Sequence, residues 1–171
     1  MADMRESGWA KINLALHVRA RRSDGYHLIE TLFAFVDHGD TIAAAPASSD
    51  SLSIDGEFAE GLGDGADNLV LRVLALLRER YGSERVPPLA LTLAKRLPVA
   101  AGIGGGSADA AAMARLVRRH FLPELGDATL ARLVSPLGAD IAACIASTTC
   151  LGVGVGDELS PVPELALTGT P

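Results

Sequence analysis

The residues best able to do chemistry stand in one run, Pro98-Val-Ala-Ala-Gly102-Ile103-Gly104-Gly105-Gly106-Ser107, where four glycines in five positions lead into an Ala-rich helical pattern. Successive glycines let backbone N–H groups converge on an anion at the positive end of a helix dipole, which suits phosphate. No Lys precedes Ser107, so the run is not a Walker A loop, and Ser107 stands where a dinucleotide fingerprint needs its third glycine. A structural turn is the plain alternative, although four glycines cost conformational entropy that a simple connection does not need. Asp140 is the next candidate. It lies in Leu137-Gly138-Ala139-Asp140-Ile141, a stretch of small and apolar residues that reads as buried, where an unpaired carboxylate is costly. Lys11 can partner it, and beside a phosphate loop the pair suits phosphoryl transfer: the carboxylate accepts a hydroxyl proton and the ammonium fixes both. By spacing alone, Asp140 serves equally well as a helix N-cap. Tyr26 and His27 offer a ring and an imidazole to a nucleobase, or form a packed structural pair. Asn68, Lys95 and Ser107, taken singly, read as a cap, a solvated charge and a second cap.

The elements that must position these groups follow from periodicity. Ala10, Ile12, Leu14, Leu16 and Val18 share one parity over 9–19, which predicts a half-buried strand that turns Lys11 and Asn13 away from the core and toward a ligand. After an Asp24-Gly25 turn, residues 32–36 predict a second strand, His38-Gly39-Asp40 a turn, and 41–45 and 52–54 short strands. Asp67 or Asn68 then caps a helix with Leu69, Val73, Leu76 and Leu77 on one face, closed by Gly82. Residues 89–93 alternate as a strand. A helix follows from near Ser107, with Arg118 and Arg119 in its last turn as the dipole prefers. A short helix at 128–134, a break at Pro136-Leu137-Gly138, an apolar segment at 141–146 and a final strand pair complete the order. Without a regular βαβα alternation, the class is α+β.

Composition sets the outer bounds. In 171 residues, 49% are apolar, enough to build a core and to exclude disorder. Fifteen Lys plus Arg against 21 Asp plus Glu give a charge of −6, with no basic footprint for nucleic acid or anionic lipid. No secretory pattern opens the chain and no apolar run reaches membrane length, so a cytoplasmic location is expected. Cys144 and Cys150, spaced C-x5-C with no His close in sequence, read as small core residues, and no metal site is expected.

Together, AKINLAL, RRSDGYH, Asp67-Asn68, LPVAAGIGGGSADAAA and LGAD resemble the GHMP small-molecule kinases over nearly the whole chain. The Gly loop marks the superfamily; A-K-I-N-L combined with R-x-D-G-Y-H and L-G-A-D points to its branch acting on a cytidine diphosphate-linked methylerythritol in non-mevalonate isoprenoid synthesis. The resemblance implies a ribosomal protein S5 domain 2-like N-terminal domain over 1–160, with 161–171 starting a truncated, ferredoxin-like C-terminal domain that is otherwise absent. It implies ATP and Mg²⁺, and phosphorylation of a substrate C2 hydroxyl. Lys11 and Asp140 match the catalytic pair, and Asn13 matches a contact to the methylerythritol diphosphate. Tyr26 and His27 match the residues that hold the cytosine, Gly102 to Ser107 the ATP phosphate loop, and Asn68, Lys95 and Pro98 its surroundings.

Overall fold

The structure is a computed structural model and describes residues 4–162. Its frame is a pair of long strands, β1 (Arg5–Arg21) and β2 (His27–Pro46), paired antiparallel along nearly their whole length. On its other edge β2 carries β5 (Cys150–Val153) at 31–33 and β4 (Leu89–Ala94) at 41–46, both antiparallel. β3 (Ser51–Asp55) adds parallel to β4, and β6 (Glu158–Pro161) antiparallel to β5, giving a six-stranded sheet. The helices are α1 (Leu69–Tyr81), α2 (Gly105–Phe121), α3 (Asp127–Val134) and α4 (Ile141–Ala146), with a 3-10 turn at Ser135–Leu137. Ile42, Leu91 and Leu93 of the sheet pack with Val73, Leu74 and Leu77 of α1 and with Met113, Leu116 and Val117 of α2. Small side chains make the central helix possible: every residue from Ala108 to Val117 is buried, five of them alanines.

Four sequence expectations are corrected by this frame. The turn expected at 38–40 does not form, because Gly39 and Asp40 continue β2. Gly39 is there for close approach: a Cβ on it would stand 2.2 Å from the Gly8 carbonyl oxygen of β1. Asp40 is satisfied inside the fold, its Oδ1 accepting from the backbone N–H groups of Arg96 (2.6 Å) and Leu97 (2.9 Å). The strict alternation of 9–19 is also interrupted, by register shifts at Trp9/Lys11, Asn13/Ala15 and Val18/Ala20. Each shift changes which parity faces inward. Ala10 and Lys11, neighbours of opposite parity, are both buried, while from Asn13 to Arg21 both parities are exposed, Leu14, Leu16 and Val18 at 46%, 53% and 61%. In α1 Val73 and Leu77 are buried as expected, but Val70 and Leu74 complete the buried stripe while Leu69 and Leu76 are only partly buried at its edge. Helix α2 starts at Gly105, two residues early, because Gly104 takes the left-handed N-cap conformation at φ 71°. Cys144 and Cys150 are free and buried, as expected. The expected start of a second domain falls mostly on 163–171, outside the described residues.

Gly39→Ala should cost about 2–3 kcal/mol, because two backbones must separate to admit the methyl group. Urea unfolding measures this, and an unchanged midpoint would contradict the close approach.

Candidate active site

Strand β1 delivers Lys11 to the start of α2. Its backbone N–H donates to the Ile103 carbonyl at 3.0 Å. Its side chain lies across Gly104, where a Cβ would meet Lys11 Cε at 3.2 Å. The ammonium ends 3.3 Å from Asp140 Oδ2, donates to Asn13 Oδ1 at 3.1 Å and sits 4.4 Å from the centre of the Phe33 ring. Asn13 is oriented in turn: its Nδ2 donates to Thr31 Oγ1 at 2.6 Å, and that hydroxyl donates to the Ala15 carbonyl at 2.8 Å. Asp140 occupies the N-cap position of α4, yet its side chain makes no capping hydrogen bond. Its carboxylate faces Lys11 instead. It is not buried, contrary to expectation: 39% of the side chain is exposed, against 4% for Lys11.

Beside this pair the glycine loop walls a cleft of about 380 Å³, lined also by Asn68, Lys95, Pro98 and Asp109, within the size range of small-molecule sites. Gly102, Ile103, Gly104, Gly105, Gly106 and Ser107 all line it. Ala100 and Gly102 have positive φ, 57° and 76°, so the loop is a built conformation rather than a relaxed turn. Asn68 does two things: its Oδ1 caps α1 by accepting from Val70 N at 3.0 Å, while Nδ2 donates to the Gly63 carbonyl at 2.8 Å. Tyr26 and His27 stand apart from this cleft. Both are exposed rather than packed, and Tyr26 lines a separate pocket of about 220 Å³ with Pro136, Val155 and Ala139, the last being the sequence neighbour of Asp140.

Lys95 is not a solvated charge. It is 3% exposed and pairs with Asp40 and, at 2.8 Å, with Asp109. Burial alone would lower its pKa, but the two carboxylates outweigh that and raise it. The Asp109 carboxyl is pushed up to about 7, mainly by burial, with Lys95 opposing the shift and Asp40 adding to it. Burial also pushes the Cys144 thiol up to about 12, so it is inert as a nucleophile at neutral pH.

The description "GHMP kinases N terminal domain" matches residues 68–148. A curated relative from Sphingopyxis alaskensis is 78% identical over 170 residues, covering 99% of this chain and 60% of its own length. One from Novosphingobium aromaticivorans is 53% identical, covering 99% and 56%. Both are named 4-diphosphocytidyl-2-C-methyl-D-erythritol kinase. Over residues 68–148 this chain is similar to the N-terminal domain of the GHMP kinases. A crystal structure of 4-(cytidine 5'-diphospho)-2C-methyl-D-erythritol kinase superposes with TM-score 0.72 at 33% identity, over 92% of this chain and 55% of that one. The Methanococcus jannaschii mevalonate kinase shares the fold, with TM-score 0.68 at 13% identity over 95% of this chain and 56% of that one. The chain spans at most 60% of the length of these two curated relatives.

Asp40, Asp109, Thr31 and Phe33 stand around the two lysines and are residues that sequence reasoning missed. Asp109 had a visible signal, as the acid inside the otherwise small-residue run Ser107 to Ala112. Asp40 was masked by its Gly neighbour. Between its ordinary value of 3.8 and about 7, native Asp109 holds a proton that the unfolded chain has lost. Stability should therefore fall as pH rises from about 4 to about 7. Asp109→Asn should flatten that slope, measured as urea unfolding free energies at about pH 4.5 and about pH 7.5; equal slopes in both proteins would contradict the assignment.

Proposed function

We propose that this chain is the nucleotide-binding part of a kinase that transfers the γ-phosphoryl group of ATP to the C2 hydroxyl of 4-diphosphocytidyl-2-C-methyl-D-erythritol, supplying the non-mevalonate isoprenoid pathway. The observation that carries the reading is the 3.3 Å Lys11–Asp140 pair at the N-terminal end of α2, beside the glycine-walled cleft. Backbone N–H groups of the loop and the helix dipole hold the triphosphate there. The substrate oxygen forms its bond to the γ-phosphorus as the bond to the β-phosphate bridging oxygen breaks; Asp140 takes the hydroxyl proton and ADP leaves. Lys11 keeps the Asp140 carboxylate in place and offsets charge that develops on the transferring group. Asn13 orients Lys11 and contacts the substrate diphosphate. Asn68, Lys95 and Pro98 bound the nucleotide side.

Tyr26 and His27 favour the cytidine-linked substrate over other alcohols used by GHMP kinases. An exposed ring on a small pocket that Ala139, the sequence neighbour of Asp140, also lines supplies a face for a base, and a polyol lacking a base has no use for it. Mg²⁺ would enter with the nucleotide and would offset charge on its phosphate oxygens. Residues 1–160 form the ATP-binding domain in this reading, and 161–171 begin the next. No helix among the described residues is long and apolar enough to cross a membrane; a cytoplasmic location and a small-molecule partner, rather than nucleic acid, belong to the same proposal.

ADP release from Mg-ATP with and without the cytidine-linked substrate tests it. Substrate-dependent release should fall roughly 10²–10⁴-fold in Asp140→Asn with nucleotide affinity nearly unchanged. Release insensitive to that substitution contradicts Asp140 as proton acceptor, and nucleotide binding without release makes the chain a binding module only.

A further inference from the structure

Arg115 lies within the buried run of α2 and is only 8% exposed. Burying a guanidinium is costly unless its donors are met, so the partners show what the charge is used for. Nη1 donates to the Cys144 carbonyl, to the Ile145 carbonyl at 3.3 Å and to Ser147 Oγ at 3.2 Å. Nη2 donates to the Ser7 carbonyl at 2.6 Å, and Nε reaches Glu6 Oε1 at 3.4 Å. One side chain on α2 thus binds the C-terminal end of α4 and the beginning of β1.

Those two elements carry the reacting pair. Helix α4 has six residues, too few to be stable unaided. Its N-cap is Asp140, and Cys144 N donates back to the Asp140 carbonyl at 3.1 Å. Its last carbonyls are groups that a helix leaves unpaired and where a cation is favoured. Ser147, just beyond, is a non-glycine residue at φ 47°, a conformation that persists only when its surroundings hold it. On the other side, Ser7 stands four residues before Lys11 on the same strand. Arg115 touches neither Lys11 nor Asp140, yet it joins the two elements that bear them.

We propose that Arg115 is a positioning residue: by clamping the C-terminus of α4 to β1 through α2, it fixes the approach of Asp140 to Lys11. The inference rests on the kinase reading for its consequence in rate, though not for its geometry.

The test is the ¹⁵N–¹³C correlation of the Lys11 ammonium group in this chain, with Asp140→Asn marking where the resonance moves when the pair is broken. Arg115→Met should move it toward that position while the amides of Gly104–Gly106 respond to Mg-ADP as in the unsubstituted chain. Arg115→Lys, which keeps a cation but cannot span both elements, should place it between. If Arg115→Met does not fold, Arg115→Lys carries the same readout. A Lys11 resonance unmoved in the folded variant, whatever the loss of thermal stability, overturns the proposal. In ADP release, Arg115→Met should lower kcat roughly 10–100-fold with little change in the KM for ATP. Absence of turnover in the unsubstituted chain would remove the kinase reading and leave the resonance test of Arg115 intact.

Discussion

The site depends on backbone touching backbone where β1 crosses the start of α2. At Gly8 a Cβ would stand 2.9 Å from the carbonyl carbon and oxygen of Ala108, so no larger residue fits between strand and helix. Lys11 N–H closes on the Ile103 carbonyl, and the Lys11 chain covers Gly104. With strand and helix held this close, an ammonium on β1 is obliged to lie at the helix N-terminus, where the dipole and the unpaired N–H groups of the first turn attract an anion. Gly39 repeats the device one strand further out, bringing β2 against Gly8. The alanines of α2 serve the same end, since they let both the sheet and α1 approach the helix closely.

Two buried lysines flank the loop, and their surroundings differ in kind. Lys95, the residue after β4, is shared between two buried acid groups, so its charge is absorbed within the protein and joins β2 and α2 beside Gly105. Lys11 faces one half-exposed carboxylate at a longer 3.3 Å, an amide oxygen and the face of a ring. That leaves positive potential for a ligand. The first arrangement suits structure, because an ammonium and two acid groups out of water, one of them holding its proton up to about pH 7, depend on their mutual geometry. The second suits chemistry, because the carboxylate is open to a substrate hydroxyl while its partner is fixed.

Much of this was legible in the sequence where the signal is local. The glycine run, the Asn68 cap, α3 and the strand at 89–93 rest on neighbours a few residues apart, and each formed near its expected place. Lys11 and Asp140 were named as candidates from residue type and context, and the structure brings them to 3.3 Å. What could not be read rests on contacts far apart in the chain. The three register shifts of β1 lie in its pairing with β2, so the alternation that placed Lys11 outside the core was misleading. Asp40 and Lys95 looked like a turn residue and a surface charge because each partner lies more than 50 residues from the other. Arg115, set among Met113, Leu116 and Val117, carried a sign of its burial: a charge inside an apolar helical run needs partners.

The central claim is that Lys11 and Asp140 act as one unit on the phosphoryl group. The most direct measurement is a double-mutant cycle on substrate-dependent ADP release, comparing Lys11→Met, Asp140→Asn and the double substitution. Residues that work as a unit lose nearly everything with the first substitution, so the double variant should be about as slow as the slower single one. Losses that multiply would mean that the two groups act independently, and would contradict the account.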